Sequence, residues 1–223
     1  MENKNKKILV LGVSLLVTFV IYTILVRFVD VQMIGPRESS VGFATLNGYI
    51  HNLIVANMSL YTITDWLGLG PIAVALGFAI LGLVQLIKRQ SLRKVDHDIL
   101  ALGVFYIVVI VVYFLFEIVV INYRPILIDG YLEASYPSST TMLVMCVMPT
   151  TAIALKVRIK NTILKRYVNI SITTFTAFMI IARLLSGVHW ITDIIGGIIL
   201  CAGLVITYYA IKNILTKNTN SIC

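Results

Sequence analysis

The sequence predicts an all-α integral membrane protein. Its form is a six-transmembrane-helix bundle with both termini cytoplasmic and a short interfacial helix in the first outer loop. Three observations predict it. Hydrophobic residues make up 59% of the 223 residues and charged residues only 13%, about half the charged share of an ordinary soluble domain. The apolar residues fall in long runs of spanning length. The basic residues cluster in alternate connections between those runs. A soluble globular domain, a disordered tail and a nucleic-acid-binding module are excluded, although net charge is +8 and the pI is near 9.5.

The first run, Ile8–Val26, follows Lys4, Lys6 and Lys7. It is too long for a signal peptide and no small-residue cleavage site follows, so it reads as an uncleaved span. A long connection, Phe28–Trp66, comes next. Within it Phe43, Leu46, Ile50 and Leu53 recur at helical spacing, with His51 on a more polar face. That pattern fits a helix lying on the membrane as an anchor. Asp65 and Trp66 read as an interface cap and aromatic belt. The second and third runs are Leu67–Ile87 and Ile99–Ile121. The connection Asn122–Ser139 is full of turn residues, charges and tyrosines. The fourth run, Thr140–Leu155, is short and holds Pro149, which membrane helices tolerate. The fifth, Val168–Leu185, and the sixth, Ile194–Ile211, flank a tight connection, Ser186–Trp190. No repeat or soluble insertion interrupts the pattern, so residues 1–223 read as one membrane domain.

Orientation follows from Lys and Arg. With the N-terminus in the cytoplasm, 14 of the 18 basic residues face inward against three acids, a balance of +11. Outside stand four arginines, Arg27, Arg37, Arg124 and Arg183, against seven acids, a balance of −3. The overall basicity is therefore mostly a topology signal.

Ionisable groups at or near spans are expensive and mark functional candidates. Most lie beside the second and third outer connections. Glu117 sits one turn inside the end of the third span. Arg124-Pro125 follows, then Tyr136-Pro-Ser-Ser-Thr-Thr opening the fourth span, Arg183 ending the fifth, and His189 and Asp193 opening the sixth. If the helix has begun by His189, four residues put His189 and Asp193 on one face. The carboxylate can then hold one ring nitrogen protonated and leave the other as base or nucleophile. Ser138 or Ser139 can cap the fourth helix, whose exposed amides favour an anion. Arg124 and Arg183 can clamp that anion. Each feature alone also fits a bland role: an interfacial histidine, an ordinary cap, a snorkelling arginine. Together they describe a phosphate cradle with a nucleophile. Cys146, Cys201 and Cys223 read as small apolar fillers and a tail thiol rather than as a disulfide or metal framework.

These residues resemble the signature of the type 2 phosphatidic acid phosphatase superfamily: Lys-x6-Arg-Pro, then Pro-Ser-Gly-His, then Ser-Arg-x5-His-x3-Asp. The chain reads Glu117-x6-Arg124-Pro125, Pro137-Ser138-Ser139-Thr140 and Ala182-Arg183-x5-His189-x3-Asp193. All three parts fall within residues 117–193. The resemblance implies a lipid phosphate phosphatase without metal or other cofactor. In it His189 is the nucleophile that forms a phosphohistidine and Asp193 orients it. Arg124, Arg183, Ser138 and the Ser139 amide hold the phosphate, with Thr140 in the same segment. The implied partners are the membrane and a phosphorylated lipid, with no nucleic acid. The implied location is a bacterial plasma membrane, with the active site facing outside.

The signature is incomplete at two places. Glu117 stands where the family has lysine and Thr140 where it has its general-acid histidine. Glu117, Glu133, Asp129 or a tyrosine such as Tyr136 are candidate replacement donors. A diphosphate substrate needs less help, because its leaving phosphate is a weak base. A phosphotransferase and a non-catalytic phosphate or lipid binder are the alternatives within the family, and a transporter the alternative outside it. Phosphatidate, phosphatidylglycerophosphate and undecaprenyl diphosphate all remain open as substrates.

Overall fold

The computed structural model describes residues 2–220, with side chains described for residues 3–215; Cys223 lies outside the described residues. Seven α-helices follow in order: α1 (Glu2–Phe28), α2 (Ala44–Leu53), α3 (Met58–Arg89), α4 (His97–Ile118), α5 (Ser139–Arg158), α6 (Thr162–Leu185) and α7 (Ile191–Asn220). All but α2 are long and apolar enough to cross a membrane, which gives six candidate spans among the described residues. There is no β-strand among the described residues, only isolated bridges such as Tyr123 with Ala134.

Burial divides the helices by role. α5 and α7 form the centre, while α1 and α3 keep most of their apolar surface outward, as lipid-facing helices do. α1 runs along α7, and α5 packs against α3, α4, α6 and α7. The shared core joins Phe19 and Val26 of α1, Leu102 and Phe105 of α4, Met142 and Cys146 of α5, and Leu200 and Cys201 of α7. Cys146 and Cys201 are fully buried in this packing.

The spans extend beyond the apolar runs. α3 begins at Met58, well before Leu67, because Asn57 caps it by accepting from the Leu60 amide at 2.9 Å. Asp65 and Trp66 therefore lie inside the helix and do not cap it. α2 forms on the expected segment, with its polar side turned inward. The Asn47 side chain is fully buried and donates to the Gly42 carbonyl at 2.7 Å and the Thr192 hydroxyl at 2.9 Å. His51 lies 5.3 Å from the Trp190 ring. Leu46, Tyr49 and Leu53 stay exposed. The entry to α2 passes so close to α1 that a Cβ at Gly42 would sit 1.5 Å from the Val26 carbonyl oxygen.

The connections gather at two ends of the bundle. At one end, Arg158 grips both Asp98 oxygens at 2.5 and 3.2 Å, and Arg89 meets Asp96 at 2.7 Å. The bonds from Arg89 and Gln85 hold the Asp96 carboxyl below the usual carboxylate range. At the other end, the segments before α2, before α3, before α5 and before α7 are knitted together. Gly42 donates to the Asn122 side chain at 3.2 Å, and Asn57 donates to the Ser186 carbonyl at 3.0 Å.

Candidate anion site at the start of α5 and α7

Three connections build the site. The segment 122–135 folds back on itself: Arg124 N–H donates to the Glu133 carbonyl at 3.0 Å and Ser135 N–H to the Asn122 carbonyl at 2.9 Å. The Trp190 indole N–H donates to the Tyr123 carbonyl at 2.7 Å and pins this fold to the turn before α7. In that turn Gly187 has φ +70, and a Cβ there would meet the Ala56 backbone at 2.9 Å. Only glycine lets the 54–57 segment lie across the turn this closely.

α7 begins at Ile191, so His189 precedes the helix instead of lying on its first turn. The pairing survives by another route. Asp193 reaches back from the first turn, and its Oδ2 accepts from the Trp190 amide at 2.9 Å, which satisfies an otherwise unpaired helix-start donor. The same oxygen lies 3.6 Å from His189 Nδ1. Both side chains are almost wholly buried. Neither ring nitrogen of His189 makes a hydrogen bond of ordinary geometry among the described residues, although the Ser135 backbone is near enough to favour the protonated ring. Burial, and then the charges of Arg124 and Arg183, push the His189 pKa well below 6.5. The imidazole is thus neutral at pH 7 and keeps a free lone pair, the form a nucleophile needs.

Ser138 is the N-cap of α5 and is fully buried. Its own amide donates to the Asp193 carbonyl at 3.2 Å, which ties the starts of α5 and α7 together. The Ser138 hydroxyl takes the Thr141 amide at 3.5 Å. The first-turn amides of Ser139 and Thr140 have no intrahelical acceptor, the arrangement that favours an anion at a helix start.

The two arginines are buried, Arg124 at 7% and Arg183 at 1% exposure. Arg124 Nε lies 3.0 Å from Glu133. Arg183 donates to the Thr64 hydroxyl at 3.2 Å and lies 4.0 Å from Asp65. Both guanidiniums stand over one ring, Tyr61. The structure thus brings His189, Asp193, Arg124, Arg183 and the start of α5 to one end of the bundle.

Glu117 and Tyr136 are placed differently. Glu117 is exposed on α4 and lines a small cavity with Tyr113, Ser135, Tyr136 and Ser139. It partners neither arginine, since Glu133 and Asp65 take those places. Tyr136 is 2% exposed, with its hydroxyl 2.7 Å from that of Thr23 and its ring against Phe19 and Phe116. That environment pushes its pKa up, mainly through burial. It packs the core. Thr140 turns its methyl toward Gly68 of α3, where a Cβ would come to 3.7 Å. Among the described residues no group of three or more His, Cys, Asp or Glu has metal-site spacing.

Sequence reasoning did not single out Tyr61, Thr64 or Ser135. Tyr61, Asp65 and Gly68 share one helical face by spacing, a signal hidden because α3 was expected to start at Leu67.

A six-span bundle with a buried His–Asp pair, two buried arginines and an open helix start defines a membrane protein with a candidate anion site. Comparison with known proteins sharpens that class. Residues 119–217 match the PAP2 superfamily model. The fold is also similar to the "first transmembrane PAP2 type phosphatidylglycerolphosphate phosphatase from Bacillus subtilis". The TM-score is 0.61 at 21% identity, covering 89% of this chain and 93% of that one. No curated protein matches the chain.

Proposed function

We propose that the protein is a membrane-embedded phosphatase that hydrolyses a lipid phosphate or diphosphate on the extracytoplasmic side. The observation that carries this reading is the buried, neutral His189, 3.6 Å from Asp193 and in the field of two arginines. Asp193 keeps the proton on Nδ1. The Nε2 lone pair attacks phosphorus, the bond from phosphorus to the leaving oxygen breaks, and a phosphohistidine forms. Water then attacks phosphorus, the P–N bond breaks, phosphate leaves and the imidazole is restored. Arg124, Arg183, Ser138 and the Ser139 and Thr140 amides stabilise the charge on the transferring group.

A lipid substrate is supported by an apolar groove of about 1000 Å³ between α3 and α4, floored by α5. Ile72, Leu76, Ile99 and Leu102 line it, and it reaches Ser139 and Thr140. A chain lying there would place its phosphate at the start of α5. An outward-facing site is supported by the basic residues at the opposite end of the bundle, which favour a cytoplasmic position for that end. A bacterial plasma membrane is the proposed location. The name of the Bacillus subtilis neighbour puts phosphatidylglycerophosphate on the substrate panel, beside phosphatidate and undecaprenyl diphosphate.

Thr140 cannot protonate a leaving alkoxide near neutral pH. That favours diphosphates, and it leaves Glu117, beside Ser139, as the candidate donor for monoesters. The same substitution favours a second reading, a binder or phosphotransferase. Purified protein in detergent, given lipid mono- and diphosphates, separates these. Phosphate release that survives chelators and vanishes in His189→Ala supports hydrolysis. No release and no labelled protein sinks hydrolysis in favour of binding. Label passed from protein to a second lipid means transfer.

A further inference from the structure

We propose that Tyr61 is a positioning residue whose ring is a shared π platform, holding the Arg124 and Arg183 guanidiniums in place for one anion. The proposal rests on the phosphate-site reading above. The Arg183 guanidinium carbon lies 4.9 Å from the ring centroid and that of Arg124 5.9 Å, within the reach of a cation–π contact. Both arginines are buried, and Arg124 Nη1 and Arg183 Nε have no hydrogen-bond partner among the described residues.

Two like charges sharing a buried site repel each other, and desolvation strengthens that repulsion. Carboxylates could offset it, but each full negative charge beside the site also opposes an incoming phosphate. Here the two acids stand to the side: Glu133 meets Nε of Arg124, and Asp65 is 4.0 Å from Arg183 and largely exposed. The ring supplies the remaining attraction from its quadrupole, with no net charge. Tyr61 also stands one turn before Thr64 and Asp65, which touch Arg183. This strip of α3 therefore supports both arginines, although it lies outside the region 119–217 that matches the family.

The test uses the full-length protein in detergent micelles, with inorganic phosphate titrated by calorimetry. Position 61 carries Tyr, Phe, 4-fluorophenylalanine or 3,4,5-trifluorophenylalanine. Fluorination withdraws the ring quadrupole at nearly constant shape, so a packing role would not respond to it. Tyr61→Phe is expected to bind phosphate within about twofold of the native chain, and the trifluoro ring about 3- to 10-fold more weakly than Phe. The monofluoro ring should fall between, with melting temperatures unchanged. Equal affinity across the fluorinated series overturns the proposal. So does a loss already complete in Tyr61→Phe, which would assign the role to the hydroxyl. Tyr61→Trp and Tyr61→Leu repeat the comparison if the fluorinated chains do not fold: Trp should retain binding and Leu lose it, and the reverse overturns the proposal. A native chain that binds no phosphate overturns the phosphate-site reading first and the platform with it, and that result appears before any substitution.

Discussion

In the proposed mechanism Asp193 does two jobs with one oxygen, and two substitutions separate them. Its Oδ2 accepts from the Trp190 amide at 2.9 Å and lies 3.6 Å from His189 Nδ1. Asp193→Asn keeps the shape and an oxygen for Trp190 and removes the charge that selects the His189 tautomer. Loss of an orienting carboxylate costs up to about 10⁴-fold in a related His–Asp geometry, so kcat for phosphate release should fall by about 10²–10⁴. Stability should hold or rise, because a fully buried carboxylate is replaced by a neutral isostere. Asp193→Ala removes both jobs. Losing the helix-start bond costs about 0.5–2 kcal/mol, which lowers Tm by about 2–4 °C per kcal/mol in a chain of this size. The assay pairs phosphate release with thermal unfolding of the same detergent preparation. Asp193→Asn that keeps more than one-tenth of native activity, or that melts as early as Asp193→Ala, refutes the division of labour.

Four further outcomes follow from the same geometry. Burial and the two arginines depress His189 below 6.5, so the unfolded chain takes up a proton there that the folded chain does not. Stability should therefore fall as pH drops through 6.5, and His189→Gln should lessen that fall; an unchanged Tm–pH slope counts against a buried neutral imidazole. If Glu117 is the monoester donor, Glu117→Gln slows monophosphates about 10²–10⁴-fold and diphosphates much less; equal loss on both removes it from that role. Gly103 lines the α3–α4 groove and a Cβ there meets nothing within 4 Å. Gly103→Phe should therefore raise KM for long-chain lipid phosphates and leave a water-soluble phosphate ester unaffected, and a rise for both would move the acyl path elsewhere. Gly196→Ala drives a Cβ to 2.6 Å from the Tyr136 ring. Its overpacking cost of about 1–3 kcal/mol should appear as a lower Tm, and a native Tm would mean that the ring moves freely.

The apolar runs revealed all six spans because a bilayer demands length and hydropathy, and both are written locally. They understated span ends, since those depend on caps. Asn57 carries α3 back to Met58, and a run that starts at Leu67 does not show it. The signature positions were legible because His189, Asp193, Arg124 and Arg183 are costly near a membrane and need a reason. What surrounds them was not legible. Tyr61 meets two arginines, one from the 122–135 connection and one from α6, and Glu133 is the acid that pairs with Arg124. The inward polar face of α2 was likewise hidden, because Asn47 finds Thr192 across 145 residues of sequence. Each of these is a choice among partners that only tertiary packing makes.

In the proposed reaction His189 carries the phosphoryl group. The most direct measurement is rapid acid-free quench of the purified protein with a ³²P-labelled lipid diphosphate, followed by mapping of the labelled peptide. An acid-labile, base-stable phosphoryl group is expected on His189, more heavily populated when water attack is slowed and absent in His189→Ala. Phosphate released at native rates by His189→Ala, or label on any other side chain, would contradict it.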